Sequence, residues 1–272
     1  MSRKEIARQT LLVIEKGSYL NNLGETISIK DETDFAVENT KLFRTEDFPD
    51  AFELTKSAVE TKIEVTDETT LEAAKRICKE DETANPFVLN FASAKNPGGG
   101  FLGGAQAQEE SLARSSSLYP CLTANFDLYQ HNRNGSSCLY SDWMIYSPRV
   151  PVFRNDDGSL TAKPYLVSFL TSPAVNAGVV KQRETDKIYL IEPINQERAR
   201  KFLWISNQNG HKTLILGAWG CGVFQNDPQM IARIFDELLK GEFANCFERV
   251  IMAIYDKTPT HRVYQAFVEV FD

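Results

Sequence analysis

Several features are missing from this 272-residue chain, and each absence removes a class of function. No apolar run approaches the roughly 20 residues that span a bilayer. The five cysteines, Cys78, Cys121, Cys138, Cys221 and Cys246, are odd in number and form no C-x-x-C, which speaks against a disulfide framework or a structural zinc and for reduced thiols. The three histidines, His131, His211 and His261, show no H-E-x-x-H or other close ligand spacing, so each reads as a surface or loop residue and neither a metal nor a cofactor is expected. The glycine run after Asn96-Pro97 does not read as a G-x-G-x-x-G opening a dinucleotide fold, and no lysine follows it at the P-loop position of G-x-x-x-x-G-K-[ST]. Positive charge is the scarcer sign: 30 basic against 37 acidic residues give −7, a field that repels polyanions and leaves no extended nucleic-acid groove. A phosphate ligand would have to be held locally, by backbone N–H groups. The opening Met1-Ser2-Arg3-Lys4-Glu5 leads into no signal-like apolar core, so a cytoplasmic address is the expectation, without membrane association.

What is present fits a folded domain: 42% hydrophobic, 11% aromatic and 25% charged residues. Apolar spacing predicts an N-terminal helix over 3–16, stopped by Gly17. Short strands and loops are expected from Asn22 to Thr66, with Thr26–Lys30 and Lys62–Val65 the clearest. Thr69-Thr70-Leu71-Glu72 reads as a capping box opening a helix through Lys79, followed by the compact strand Phe87–Phe91. Further helices are expected over 108–118, 196–208 and 228–239 and strands over 139–146, 165–170, 213–216 and 249–255, with 263–271 a closing helix or, as the alternative, a strand. Strand, glycine loop and helix in repetition predict a three-layer α/β fold with ligands at the C-terminal strand ends. No repeat or linker divides the chain, so one core over 61–272, with residues 1–60 as an extension packed on it, is expected.

Two glycine loops carry the chemistry. The first is Asn90-Phe91-Ala92-Ser93-Ala94-Lys95-Asn96-Pro97-Gly98-Gly99-Gly100, continuing to Gln108-Glu109-Glu110. Three consecutive glycines remove every Cβ, so the main chain can press against a ligand and aim N–H groups at its oxygens. The second, Gly217-Ala218-Trp219-Gly220-Cys221-Gly222-Val223-Phe224-Gln225-Asn226-Asp227-Pro228, also leaves a strand and enters a helix. On neighbouring strand ends the two would clasp a diphosphate from both sides. Alone, a glycine loop is as often a tight turn, and acidic residues at a helix start are favoured by the dipole.

Together the motifs resemble a known family. G-G-G, seven residues and Q-E-E resemble the signature of poly(ADP-ribose) glycohydrolases, and Trp219–Phe224 resembles their phosphate loop. The compact microbial branch is the most similar, in which a macrodomain carries an N-terminal extension; Ser172–Gly178 resembles a segment of that branch. The likeness runs in order from about residue 60 to the end. Many macrodomains carry N-A-A-N before their glycines, whereas here Asn90-Phe91-Ala92-Ser93 lacks the second asparagine and a Glu pair follows downstream.

The resemblance implies a macrodomain-like mixed sheet flanked by helices, and a glycosidase that releases ADP-ribose units from the polymer terminus. It implies that Glu110 serves as acid and base in turn, Glu109 holds ribose hydroxyls, and Gln108 helps to fix the loop. Adjacent residues at a helix start lie about 100° apart, which suits a single acid/base better than two opposed carboxylates. Burial beside Phe101, Leu102 and Phe224, with Glu109 as a like charge, would raise the Glu110 carboxyl against the helix dipole. By the same resemblance Phe224 packs on the terminal ribose, Asn90 meets ribose hydroxyls or the loop backbone, and Asn96 and Asn226 are further candidates. Gly98, Gly99, Gly100, Ala218, Gly220, Cys221, Gly222 and Val223 supply the loop surfaces. Adenine contacts are expected from the N-terminal half. The implied partner is ADP-ribose, its polymer or an ADP-ribosylated macromolecule, met by a monomer. Two alternatives share these residues: a reader that binds ADP-ribose and cuts nothing, and a hydrolase of single ADP-ribose units on protein or nucleic acid.

Overall fold

The computed structural model describes residues 1–271. Ser2 accepts the Glu5 N–H and opens α1 (Arg3–Lys16), and Gly17 closes it in the left-handed region at φ +69°. A small antiparallel pair follows, β1 (Ser18–Leu20) and β2 (Thr26–Ser28). The next element departs from expectation: residues 30–38 form a helix, α2 (Lys30–Glu38). It has no side-chain cap and buries only Thr33 and Ala36, so its stripe is too short to stand out. Then come β3 (Lys41–Phe43), β4 (Lys62–Thr66) and α3 (Thr70–Glu80), whose Thr69 and Glu72 make both bonds of the capping box.

After β5 (Phe87–Phe91) lie the first glycine loop and α4 (Gln108–Ser115). The expected helix to 118 breaks at Ser116, which leaves helical dihedrals to bridge Val152, and the chain resumes as α5 (Leu118–Ala124) and α6 (Asp127–Asn134). The two long strands β6 (Met144–Arg154) and β7 (Leu160–Ser172) start and end away from the expected ranges, because residues 139–142 are a turn and register shifts interrupt the alternation. α7 (Ala177–Arg183) is followed by α8 (Ile191–Gln208), which begins five residues before the expected start, with Pro193 tolerated in its first turn. β8 (Thr213–Leu216), α9 (Pro228–Lys240), β9 (Arg249–Ala253) and α10 (Arg262–Phe271) complete the chain.

The main sheet has the order β3-β6-β7-β5-β8-β9-β4, parallel from β7 to β4 and antiparallel where β6 meets β3 and β7. Successive strand residues point to opposite faces. Phe87, Leu89, Leu214, Leu216, Val250 and Met252 therefore join one core with α8, α9 and α10, while Val88, Ile215 and Ile251 join another with α3, α5 and α6. This is a three-layer, mixed-sheet α/β fold. β5 and β8 are hydrogen-bonded neighbours, so the two glycine loops leave the sheet side by side, with the end of β9 next to them. No helix among the described residues is long and apolar enough to cross a membrane.

Histidine 211 corrects one expectation: it is buried, its ring bonded to the Tyr146 hydroxyl at 2.7 Å and the Asn85 carbonyl at 3.1 Å, and burial pushes it down to about 4. The core behind the site is close-packed, with Phe235 of α9 fully buried 6.0 Å from the Phe202 ring. Phe235→Ala is expected to cost about 3–5 kcal/mol of stability, the usual range for an emptied aromatic site. Urea denaturation of the variant beside the wild type measures it, and a loss below about 1 kcal/mol would show that the site collapses around the gap.

Candidate active site

Loop 1 is built around its own carboxylates. Gly98 and Gly99 adopt φ +67° and +60°, which side chains resist, and an ideal Cβ on Gly99 would lie 2.9 Å from the Glu110 carboxyl carbon and 3.1 Å from Glu109 Oε2. The Gly100 N–H donates to Glu110 Oε1 at 2.9 Å, and the Ser93 N–H donates to Glu109 Oε2 at 2.7 Å. Gln108 behaves as a brace: its Oε1 accepts the Phe91 N–H at 2.9 Å and its Nε2 donates to the Leu89 carbonyl at 2.8 Å and the Thr70 hydroxyl at 3.2 Å. Both ends of that amide are spent on the protein, which locks the start of α4 onto the end of β5.

Burial divides the glutamate pair in a way the sequence did not disclose. Glu109 is only 3% exposed and Glu110 is half-buried on the cleft wall. Desolvation, opposed by the Ser93 N–H and reinforced by the neighbouring Glu110, pushes Glu109 up to about 8. The expected apolar wall around Glu110 is also corrected, because Leu102 is 47% exposed.

Loop 2 is different in kind. Trp219 is fully buried and donates from Nε1 to the Ser172 carbonyl at 2.8 Å, an anchor from which the rest of the loop projects. Gly220, at φ +72°, leaves no room for a Cβ, which would lie 2.6 Å from Asn226 Nδ2. Among the described residues the N–H groups of Gly222, Val223 and Phe224 find no protein acceptor, whereas those of Cys221, Gln225 and Asn226 bond within the loop. Free N–H groups on a turn suit an anion. The expected clasp by two anion-binding loops is thus modified. Loop 1 spends the N–H groups of Ser93, Gly99 and Gly100 on the protein, and loop 2 keeps those of Gly222, Val223 and Phe224 free.

A cleft of about 730 Å³ opens between the loops, within the range of small-molecule sites. Asn96, Gly99, Gly100, Gln108, Glu109 and Glu110 line it from one side, and Ala218, Gly220, Cys221, Gly222, Val223 and Phe224 from the other. Three expected contacts lie behind its wall. Asn90 is fully buried, its Nδ2 donating to the Thr171 hydroxyl at 3.0 Å and reaching Glu109 Oε1 at 3.4 Å. Asn226, also buried, donates to the Val175 and Gly220 carbonyls and accepts from Asn195. Gly98 is buried against Phe101 and Ala113.

The cleft also gathers residues that the sequence reading missed: Thr69, Thr70 and Leu71 at the start of α3, Asp156 from the β6–β7 hairpin, Ile254, Tyr255 and Asp256 after β9, and Val263 in the first turn of α10. Asp156 accepts from Thr69 at 2.6 Å and from Ser111 at 2.8 Å, which ties α3 to α4. The capping box pointed to the start of α3; Asp156 had no local signal. Beyond the two loops, the lining thus comes from the C-terminal end of the chain as well as from the N-terminal half. No group of His, Cys, Asp and Glu among the described residues could hold a metal ion. Burial raises the Cys221 thiol well above its ordinary range, which denies it the thiolate a nucleophile needs.

A profile described as microbial-type PARG, catalytic domain, matches residues 7–155, and that span carries β5, loop 1 and the glutamate pair. This chain belongs to the microbial-type PARG family. The match includes most of the first sixty residues, so the family likeness extends further toward the N-terminus than the motifs alone indicated. Among solved structures, poly(ADP-ribose) glycohydrolase from Thermomonospora curvata is 43% identical, with 99% of each chain covered and a TM-score of 0.94. The same enzyme bound to the inhibitor ADP-HPD covers 98% of each chain at a TM-score of 0.90. The Deinococcus radiodurans glycohydrolase in complex with ADP-ribose is 43% identical over 88% of this chain and 97% of that one, at a TM-score of 0.82. A comparison with curated proteins yields no match.

The buried PARG-family glutamate has a pH consequence. Raised from an ordinary 4.5 to about 8, Glu109 keeps its proton in the folded state where the unfolded chain has lost it. Its contribution to stability is complete below about 4.5 and is lost as the pH rises to about 8. The difference in denaturation midpoint between wild type and Glu109→Gln, measured at pH 5 and pH 8.5, is expected to shift in favour of the variant at the higher pH. A difference that stays constant would show that Glu109 ionises freely in the fold.

Proposed function

We propose that this chain hydrolyses the ribose–ribose O-glycosidic bond at the terminus of poly(ADP-ribose), with Glu110 as its acid/base. The observation that carries the reading is the placement of Glu110. It sits at the first turn of α4, oriented by the Gly100 N–H, on a cleft whose opposite wall offers the unpaired N–H groups of loop 2. Those N–H groups would hold the diphosphate, which sets the distance from phosphate to the reacting ribose. Phe224, half-exposed on the same loop, would pack on that ribose and press its anomeric carbon toward Glu110.

The reaction passes through an oxocarbenium-like state. The Glu110 carboxyl transfers its proton to the leaving ribose oxygen as the C–O bond breaks. A water then attacks the anomeric carbon, and its proton returns to Glu110. Glu109, kept neutral near pH 7 by burial, can donate a hydrogen bond to a ribose hydroxyl and prevents two charges from crowding over Gly99. The ADP-ribose complex of the Deinococcus radiodurans relative supports the ligand class. Polymer as the substrate, cut from its end, fits a site that gathers its anion-binding groups in one loop.

Glu110→Gln keeps the shape of the side chain and removes the proton transfer. It is expected to lower polymer hydrolysis by about 10²-fold or more while leaving ADP-ribose affinity within about threefold. Product analysis on polymer and on mono-ADP-ribosylated protein, with calorimetry of ADP-ribose, separates the readings. Binding without any product identifies a reader, and release from the mono-modified protein alone moves the substrate to single units.

A further inference from the structure

The geometry points to Tyr140 as a positioning residue: its ring backs Phe224 and holds that side chain against the reacting sugar. The proposal rests on the glycohydrolase reading above. Tyr140 lies outside both glycine loops and does not line the cleft. Its ring stands 5.8 Å from the Phe224 ring at an interplanar angle of 45°, and Phe224 itself lines the cleft. An aromatic ring on a surface loop with open space behind it would swing between rotamers; a second ring at contact distance removes that freedom.

The backbone under Tyr140 is held in a conformation it would not choose. Tyr140 has φ +61°, and Gln225, next to Phe224, has φ +55°. Left-handed backbone at residues other than glycine persists only when the surroundings over-determine it, and it gathers at functional sites. Here the surroundings do so. Arg198 is fully buried and donates to the Leu139 carbonyl at 2.6 Å, the Tyr140 carbonyl at 2.8 Å, the Pro173 carbonyl at 3.1 Å and Asp142 Oδ1 at 3.0 Å.

One segment ties the two rings together. The Asn176 N–H donates to the Cys138 carbonyl at 3.0 Å, just before Tyr140, and the Gly178 N–H donates to the Phe224 carbonyl at 3.0 Å. Residues 173–178 thus carry the turn under Tyr140 on one side and the tip of loop 2 on the other. A buried arginine bonded to three carbonyls is a large investment in fixing one turn, and the side chain that turn presents is the one that touches Phe224.

The test is a double-mutant cycle in the full-length chain, with turnover of poly(ADP-ribose), ADP-ribose binding and thermal melting measured on each variant. Tyr140→Ala is expected to lower kcat about tenfold with ADP-ribose affinity within about threefold, because the sugar is misplaced and not unbound. Tyr140→Phe keeps the ring and is expected to retain wild-type kcat. In a Phe224→Ala background, Tyr140→Ala is expected to add no further loss, since the residue it acts through is gone. If Tyr140→Ala fails to fold, Tyr140→Asn, a residue type tolerant of positive φ, carries the same expectation. Wild-type kcat in the ring-less variants, or losses that multiply in the double variant, overturns the proposal. A wild-type chain that binds ADP-ribose and leaves polymer intact overturns the glycohydrolase reading itself, and Tyr140 falls with it.

Discussion

Two carboxyl groups from consecutive residues converge on Gly99, and most of the site's design follows from that crowding. Side chains one residue apart on a helix diverge, so both can approach one point only where the opposing backbone has no Cβ. Three glycines supply the clearance, and the N–H groups of Gly100 and Ser93 hold the oxygens in place. The position of α4 must then be set to a fraction of an ångström, which is why both ends of the Gln108 amide are bonded to β5 and α3. Two charges over Gly99 would repel, and burial resolves this by keeping Glu109 protonated near neutral pH. At the position where many macrodomains carry a second asparagine, Ser93 offers its backbone N–H to Glu109.

A net charge of −7 and the proposed diphosphate ligand are compatible where recognition is short-ranged. Within the Debye length of about 8 Å, the aligned N–H groups of loop 2 outweigh a diffuse field. The diffuse field still disfavours the body of a long anionic polymer. On the proposed reading, a protein of this charge would meet its substrate at one end, where a single diphosphate enters the cleft and the remaining units stay in solvent.

Local chemistry was legible in the sequence and long-range chemistry was not. Gly17, the Thr69–Glu72 box and the apolar runs of β5, β8 and α9 act within a few residues, and those elements lie where the pattern placed them. The spacing of the glycines and of Gln108-Glu109-Glu110 was likewise readable as a motif. Burial was not readable. Asn90 and Asn226 look like ligand contacts by type, yet each is enclosed by its partners Thr171 and Asn195 from distant strands and helices. Nothing near Glu109 in sequence announces that it, and not Glu110, loses its solvent. Residues 139–142 carry a strand-like pattern yet lie outside any strand, and the bonds that hold them come from Arg198, more than fifty residues downstream.

The first helix completes the same logic from behind. The Thr10 hydroxyl donates to the Arg114 carbonyl at 2.6 Å and accepts from Arg154 Nε at 3.0 Å, so α1 is bonded to the last turn of α4 and to the end of β6. The Arg114 guanidinium in turn donates to the Ala105 carbonyl at 2.6 Å and to the Gln106 side chain, in the turn that delivers Gln108. Gly104, at φ +86°, passes so close to Lys4 that an added Cβ would lie 3.2 Å from its backbone nitrogen. The glutamate pair is therefore braced from both directions: by β5 and the glycine loop in front, and by α1 through Arg114 behind. A short helix that starts with four N–H groups and ends with four C=O groups lacking intrahelical partners, and has no side-chain cap, cannot fix its own orientation. The N-terminal segment contributes to that orientation, and the family match includes it from residue 7 onward.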